Sequence, residues 1–163
     1  MSMKKVLIIT IFACLAITVM AQDVGSASAE DSLVLLTPEE ADQMPKYVGG
    51  VNALLKFLRE NLKYPNEALK YKAEGRVEMW FIVDTDGSVK DISASDCKIE
   101  RIGSKKFYRL PVNEQSQLKE QFALLFAKEG ARVIRSMPNW IPGELNGKPI
   151  RVKYKLPLTF KLD

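Results

Sequence analysis

Histidine is absent from all 163 residues. That single absence removes Ser-His and Cys-His nucleophilic pairs, imidazole proton shuttles and the common zinc sites. Cysteine is nearly absent, with only Cys14 and Cys97. Cys14 lies in an N-terminal apolar run, so a processed chain keeps Cys97 alone and forms no internal disulfide. Cys97 has no second thiol or imidazole to activate it, although Lys98 is adjacent, and it reads as an inert, partly buried side chain. No strong charge of one sign is present either: 24 basic residues stand against 20 acidic ones, for a net +4. A nucleic-acid binder would show a stronger and more clustered basic stripe. Asp84-x-Asp86-Gly87 resembles the opening of a calcium loop, but such a loop needs a bidentate Glu at its twelfth position, where this chain has Ser95. A tight hairpin turn is the better reading. Paired carboxylates such as Glu39-Glu40 fall in a polar leader, where nothing raises a pKa. No catalytic, cofactor-binding or metal-ligating set stands, and the composition fits a binding or structural domain rather than an enzyme.

What is present begins with an export signal. Lys4 and Lys5 precede the run Val6–Ala21, which is followed at once by polar Gln22 and Asp23. A basic start, an apolar middle and Val19-Met20-Ala21 before the polar step describe a signal peptide over residues 1–21, cleaved after Ala21. Two other readings compete. One is a retained inner-membrane anchor, which needs about 20 apolar residues where this run has 16. The other is lipid attachment at Cys14, where Phe12 fits the surrounding pattern poorly. Loss of Lys4 and Lys5 takes the net charge from +4 to +2. Residues 22–43 are small, polar and acidic and read as a flexible leader, with at most a brief strand at Leu33 to Leu36. The domain proper is expected over 44–163.

After Gly49-Gly50, the residues Val51, Leu54, Leu55, Leu58 and Leu62 draw one apolar stripe on a helix. Tyr64-Pro65 ends it, and a short helical turn is expected from Asn66 to Tyr71 with Asn66 as its cap. Arg76 to Asp84 alternates as a strand, Asp84-Thr85-Asp86-Gly87 turns, and Val89 to Ala94 returns as its partner. The basic stretch Lys98 to Asn113 reads either as a solvated loop or as a small hairpin turning at Gly103-Ser104. A long helix follows, with Leu118, Phe122, Leu125, Phe126, Val133, Ile134 and Met137 on its apolar side and Pro138 closing it. Trp80 and Trp140 could stack on a ligand, but packing at the sheet and the helix exit is the commoner use of tryptophan.

The final segment alternates without a break. Ile150, Val152, Tyr154, Leu156, Leu158, Phe160 and Leu162 are apolar, against Arg151, Lys153, Lys155, Pro157, Thr159 and Lys161, the pattern of a half-buried strand. Two helices and three strands predict an α+β fold, with the helices packed on one face of a three-stranded antiparallel sheet. Pro157 lacks an N–H and belongs on an edge strand or at a bulge. Lysines on such an edge discourage aggregation, yet an edge strand is also what peptide capture by strand addition requires. Because backbone groups alternate in direction, Arg151, Lys153, Lys155 and Thr159 should aim theirs outward, while Val152, Tyr154, Leu156 and Leu158 pair inward with the hairpin. A bulge at Pro157 would break that parity, so Arg151 to Lys155 is the safer stretch.

Together these motifs resemble the TonB C-terminal domain family. The resemblance rests on Trp140-Ile141-Pro142-Gly143, Gly147-Lys148-Pro149-Ile150-Arg151-Val152-Lys153-Tyr154 and Pro157-Leu158-Thr159-Phe160-Lys161-Leu162. Upstream it takes in Gln43 to Tyr47, Tyr64-Pro65 with Ala68, Gly75-Arg76-Val77 and Asp86-Gly87-Ser88-Val89, and it covers residues 42–163. It implies two helices on a three-stranded antiparallel sheet. It also implies that the last strand holds the TonB box, a short extended segment of an outer-membrane transporter. The expected partner-binding residues are Arg151, Val152, Lys153, Tyr154, Lys155, Pro157 and Thr159, joined through the family pattern by Tyr64 and Pro65. Full transducers carry an inner-membrane anchor, usually with a histidine, and a long proline-rich arm. Here histidine is missing and the leader spans at most ~75 Å fully extended. The expectation is therefore a stand-alone periplasmic binding module, with no cofactor, nucleic acid or small-molecule substrate. A short inner-membrane-anchored transducer and a self-associating structural domain, such as a homodimer, are the alternatives.

Overall fold

The alternating stretch around Val77 forms the centre of the fold. In the computed structural model, which describes residues 41–162, β1 (Ala73–Val83) pairs antiparallel on one side with β2 (Val89–Ile102) and on the other with β5 (Val152–Phe160), in the order β2-β1-β5. The signal-peptide, anchor and lipidation readings of residues 1–21, the leader up to residue 40 and the strand expected at Leu33 to Leu36 lie outside the described residues. Within them, no helix is long and apolar enough to cross a membrane.

Four helices and a small hairpin complete the described residues: α1 (Gly50–Asn61), α2 (Asn66–Lys70), α3 (Lys105–Tyr108), α4 (Val112–Arg135), β3 (Gly143–Leu145) and β4 (Lys148–Ile150). One face of the sheet is dry. Val77, Met79, Phe81 and Val83 of β1 and Val152, Leu156, Leu158 and Phe160 of β5 are all buried there. Phe122, Phe126, Val133 and Ile134 of α4 recur at helical spacing and cover it, joined by Leu54 and Leu58 of α1. The fold is thus α+β, a three-stranded antiparallel sheet with its helices on one face.

Several boundaries differ from the sequence expectation, each for a physical reason. β2 does not stop at Ala94 but runs to Ile102, and the basic stretch continues as the helical turn α3 rather than as a loop or a hairpin at Gly103-Ser104. Register shifts opposite Glu74/Gly75, Glu78/Met79 and Trp80/Ile82 break its period, so alternation fades along β2. The final alternation is two strands, not one. Arg151 belongs to neither, Ile150 belongs to β4, and β4 folds back on β3 through Asn146 and Gly147, both at positive φ, the backbone that an Asn-Gly hairpin turn uses. Pro65, not Asn66, caps α2, with Asn66 as its first helical residue and no side-chain cap bond. On α1 the stripe is only half used: Leu54 and Leu58 are buried, while Val51 and Leu55 are exposed.

The β1–β2 turn is locked from outside. Gly87 donates its N–H to the Asp84 carbonyl at 2.9 Å and accepts from Trp140 N at 2.8 Å. Its φ is +80°, and a Cβ there would sit 2.0 Å from the Trp140 carbonyl oxygen. Gly87→Ala is therefore expected to lose roughly 2–4 kcal/mol, combining left-handed strain with a clash against fixed backbone. Urea unfolding of both proteins measures it, and a loss under about 0.5 kcal/mol would mean that the turn is not clamped as described.

Candidate functional site

β5 ends the strand order, and among the described residues no strand pairs with its far side. Its ladder with β1 is unbroken from Val83↔Val152 to Gly75↔Phe160, with Pro157 opposite Glu78 and no register shift. The turn sets the direction of every backbone group in it. Asp84 donates its N–H to Ser88 O at 2.9 Å, toward β2. Alternation along the regular strand β1 then sends even-numbered Ile82, Trp80 and Glu78 to β2, and odd-numbered Val83, Phe81, Met79 and Val77 to β5. The Glu78 carbonyl agrees, since Ser95 Oγ approaches it from β2 at 3.5 Å. The partners of the odd-numbered residues are Val152, Tyr154, Leu156 and Leu158. The N–H and C=O groups of Lys153, Lys155 and Thr159, and the Pro157 C=O, are left aimed away from the sheet.

The opposite edge is less suited to accept a strand. β2 carries all three register shifts and has Asp91 at a φ of 50°. Such irregularity twists an edge away from further pairing.

The partner-binding set divides by depth. Lys153, Lys155, Pro157 and Thr159 are exposed on the face without helices. Val152 is fully buried, and Tyr154 packs against Phe81 at 5.6 Å and Trp140 at 4.9 Å between ring centroids. Their backbone groups are taken up by the ladder with β1, so these two expected residues present a docked chain with neither side chain nor backbone and serve the strand from within. Arg151 is half-buried before β5, its Nε 3.5 Å from Asp84 Oδ1. Tyr64 and Pro65 lie away from the lysines, near the far end of the strand. Tyr64 donates its hydroxyl to the Ala73 carbonyl and meets Phe126 and Phe160 edge-on at 5.8 and 5.9 Å. Burial and the nearby Glu74 carboxylate push its pKa up to about 12. Pro65 caps α2.

Trp80 and Glu78 are the neighbours that the sequence pattern did not place at the site. Trp80 sits on the open face, its Nε1 donating to Ser95 Oγ at 2.8 Å, with the Lys153 and Lys155 ammonium groups 4.9 and 5.6 Å from its ring centroid. Glu78 pairs with Lys155 at 3.4 Å. Only the β1–β5 register brings these four side chains together; the even-numbered positions of the first strand were the available signal. Trp140, by contrast, is core, edge-on to Tyr47 and Phe81.

The other chemistry-bearing residues serve structure. Asp84 holds Lys90 at 2.5 Å, and that contact keeps its carboxyl below the usual carboxylate range. Asp86 Oδ1 accepts Ser88 N at 2.8 Å. These carboxylates staple the hairpin turn. Among the described residues no group of three His, Cys, Asp or Glu is placed to hold a metal ion. Cys97 donates its thiol to the Ala123 carbonyl at 3.2 Å, and burial, assisted by Asp96, pushes its pKa up. Raising a thiol pKa lowers the thiolate fraction at neutral pH, so alkylation of Cys97 at pH 7.5 is expected to run slower than that of a free cysteine. Mass-spectrometric peptide mapping reads it; a rate matching the free thiol would contradict this placement.

No protein-family model and no curated protein sequence matches the chain. Among solved structures, it is similar to the C-terminal domain of TonB from Helicobacter pylori in two NMR solution structures. One shares 19% identity over 71% of this chain and 86% of that one, with a TM-score of 0.37. The other shares 17% identity over 68% and 90%, with a TM-score of 0.38.

Proposed function

We propose that the protein is a binding module that captures an extended peptide by strand addition at β5, and that its partner is a TonB-box-like segment of an outer-membrane transporter. The observation that carries the capture mode is the outward row of backbone donors and acceptors at Lys153, Lys155 and Thr159 on an unbulged terminal strand. The choice of partner, and the periplasm as the place of encounter, follow the resemblance of the 140–162 motifs. A captured segment would form about four to six ladder hydrogen bonds, each contributing roughly 0.5–1.5 kcal/mol net. Ordering the peptide offsets much of that, leaving affinity in the micromolar class.

The same edge offers a second copy of the chain the same ladder, but the side chains argue against it. An antiparallel β5–β5 pairing about a two-fold axis brings Lys153 and Lys155 of both copies onto one face near each other, and like charges across a strand pair are destabilising. Isothermal titration with a synthetic TonB-box peptide, alongside mass measurement over a range of protein concentration, separates the readings. Saturable 1:1 binding by a monomer supports capture. A concentration-dependent dimer that excludes peptide would replace it.

A further inference from the structure

Between Glu100 and Glu114 the chain holds Arg101, Lys105, Lys106 and Arg109 and no acid. Peptide capture at β5 uses none of them. The fold then adds cations from other elements to the same corner. Gly103 donates its N–H to Lys72 O at 2.9 Å and Ser104 donates to Tyr71 O at 3.1 Å, which fixes the start of α3 against the end of α2. Lys106 Nζ lies 5.8 Å from the Tyr71 ring centroid and Lys119 Nζ 6.0 Å from that of Phe107, and the two rings meet at 6.5 Å. Arg101 is neutralised by Glu74 at 2.6 Å. Lys72, Lys105, Lys106, Arg109 and Lys119 have no carboxylate within 4.0 Å among the described residues. Glu114, in the first turn of α4, is the acid next along the chain.

The corner is also rigid and partly apolar. Phe107 is buried to 1% exposure and Tyr108 donates its hydroxyl to Ile102 O at 3.0 Å, so α3 is pinned. Tyr108 remains 63% exposed and Val112 78% exposed, on either side of Arg109. Gathering like charges on a fixed element costs free energy that an anionic partner recovers. An aromatic ring and an aliphatic side chain standing free among the cations match the boundary between headgroups and acyl chains, where such residues insert.

We infer that this corner docks on a membrane surface rich in anionic phospholipid, with Lys72, Lys105, Lys106, Arg109 and Lys119 facing the headgroup phosphates and Tyr108 and Val112 entering the interface. Vesicle co-sedimentation of the full chain tests it, using phosphatidylglycerol–phosphatidylcholine and pure phosphatidylcholine vesicles at low and high salt. Any contribution of the Val6–Ala21 run is common to every variant, so the differences read the corner. The wild type is expected to bind the anionic vesicles at least tenfold more tightly than the neutral ones near 0.1 M salt. K105E/K106E/R109E is expected to lose at least tenfold on anionic vesicles with its melting temperature unchanged. Tyr108→Ser with Val112→Ser should lose a few-fold on vesicles and nothing on inorganic polyphosphate, which samples charge alone. Anionic-vesicle binding that survives the triple charge reversal would overturn the proposal. So would a Tyr108/Val112 variant that binds vesicles like wild type, which would leave a soluble polyanion as the partner of this corner.

Discussion

Lys155→Pro is expected to weaken peptide capture at least tenfold, about 1.4 kcal/mol or more, while the domain stays folded. The backbone of Lys155 points away from β1, so proline there removes a donor from the open edge and none from the β1–β5 ladder. The substitution also deletes the ammonium group near Trp80 and its pair with Glu78. Lys155→Ala is therefore the control, and it should retain most of the affinity, since exposed pairs of this kind contribute about 0–1 kcal/mol. Tyr154→Pro, one residue earlier, provides the contrast. It removes an inward N–H and should destabilise the fold by about 3 kcal/mol or more. Titration calorimetry and thermal melting on the three variants read affinity and folding separately. Equal affinities for Lys155→Pro and Lys155→Ala would show that the backbone of β5 is not what holds the peptide.

Phe126→Ala should be the most damaging single truncation in the core, at about 3–5 kcal/mol. Phe126 is fully buried, stacks on Phe160 with centroids 4.2 Å apart and planes 7° from parallel, and meets Tyr64 edge-on at 5.8 Å. It ties α4 to the end of β5 and to the segment after α1. Those neighbours are themselves anchored, Phe160 in the β1–β5 ladder and Tyr64 by its hydroxyl on Ala73, so the cavity collapses poorly. Chemical denaturation measures the loss, and a value below about 1.5 kcal/mol would mean that α4 is not seated on the sheet through this residue.

What the sequence disclosed about the fold follows from which interactions were local. The period of two in Val77–Val83 and Val152–Phe160 was plain because both strands have one dry and one wet face along an unbulged ladder. The long helix was plain because Phe122, Phe126, Val133 and Ile134 recur on one side. From sequence alone β2 reads as ending at Ala94, because its bulges change which residues face inward and no periodic template survives that. The turn at Asn146-Gly147 carried a readable hairpin signal, but it was masked by alternation running through Lys148–Ile150 into β5. Pro157 located the edge from chemistry alone. Trp80 and Glu78 depended on the register of two strands far apart in the chain, which no local pattern states.

Amide hydrogen exchange on β5, measured by NMR in the free protein and with a TonB-box peptide bound, tests the central claim most directly. In the free domain, the Lys153, Lys155 and Thr159 amides should exchange fast and the Val152, Tyr154, Leu156 and Leu158 amides slowly. Adding peptide should slow the odd-numbered set by at least tenfold and leave the even-numbered set unchanged. Protection that appears on the even-numbered amides instead, or binding that protects neither set, would contradict strand addition at this edge.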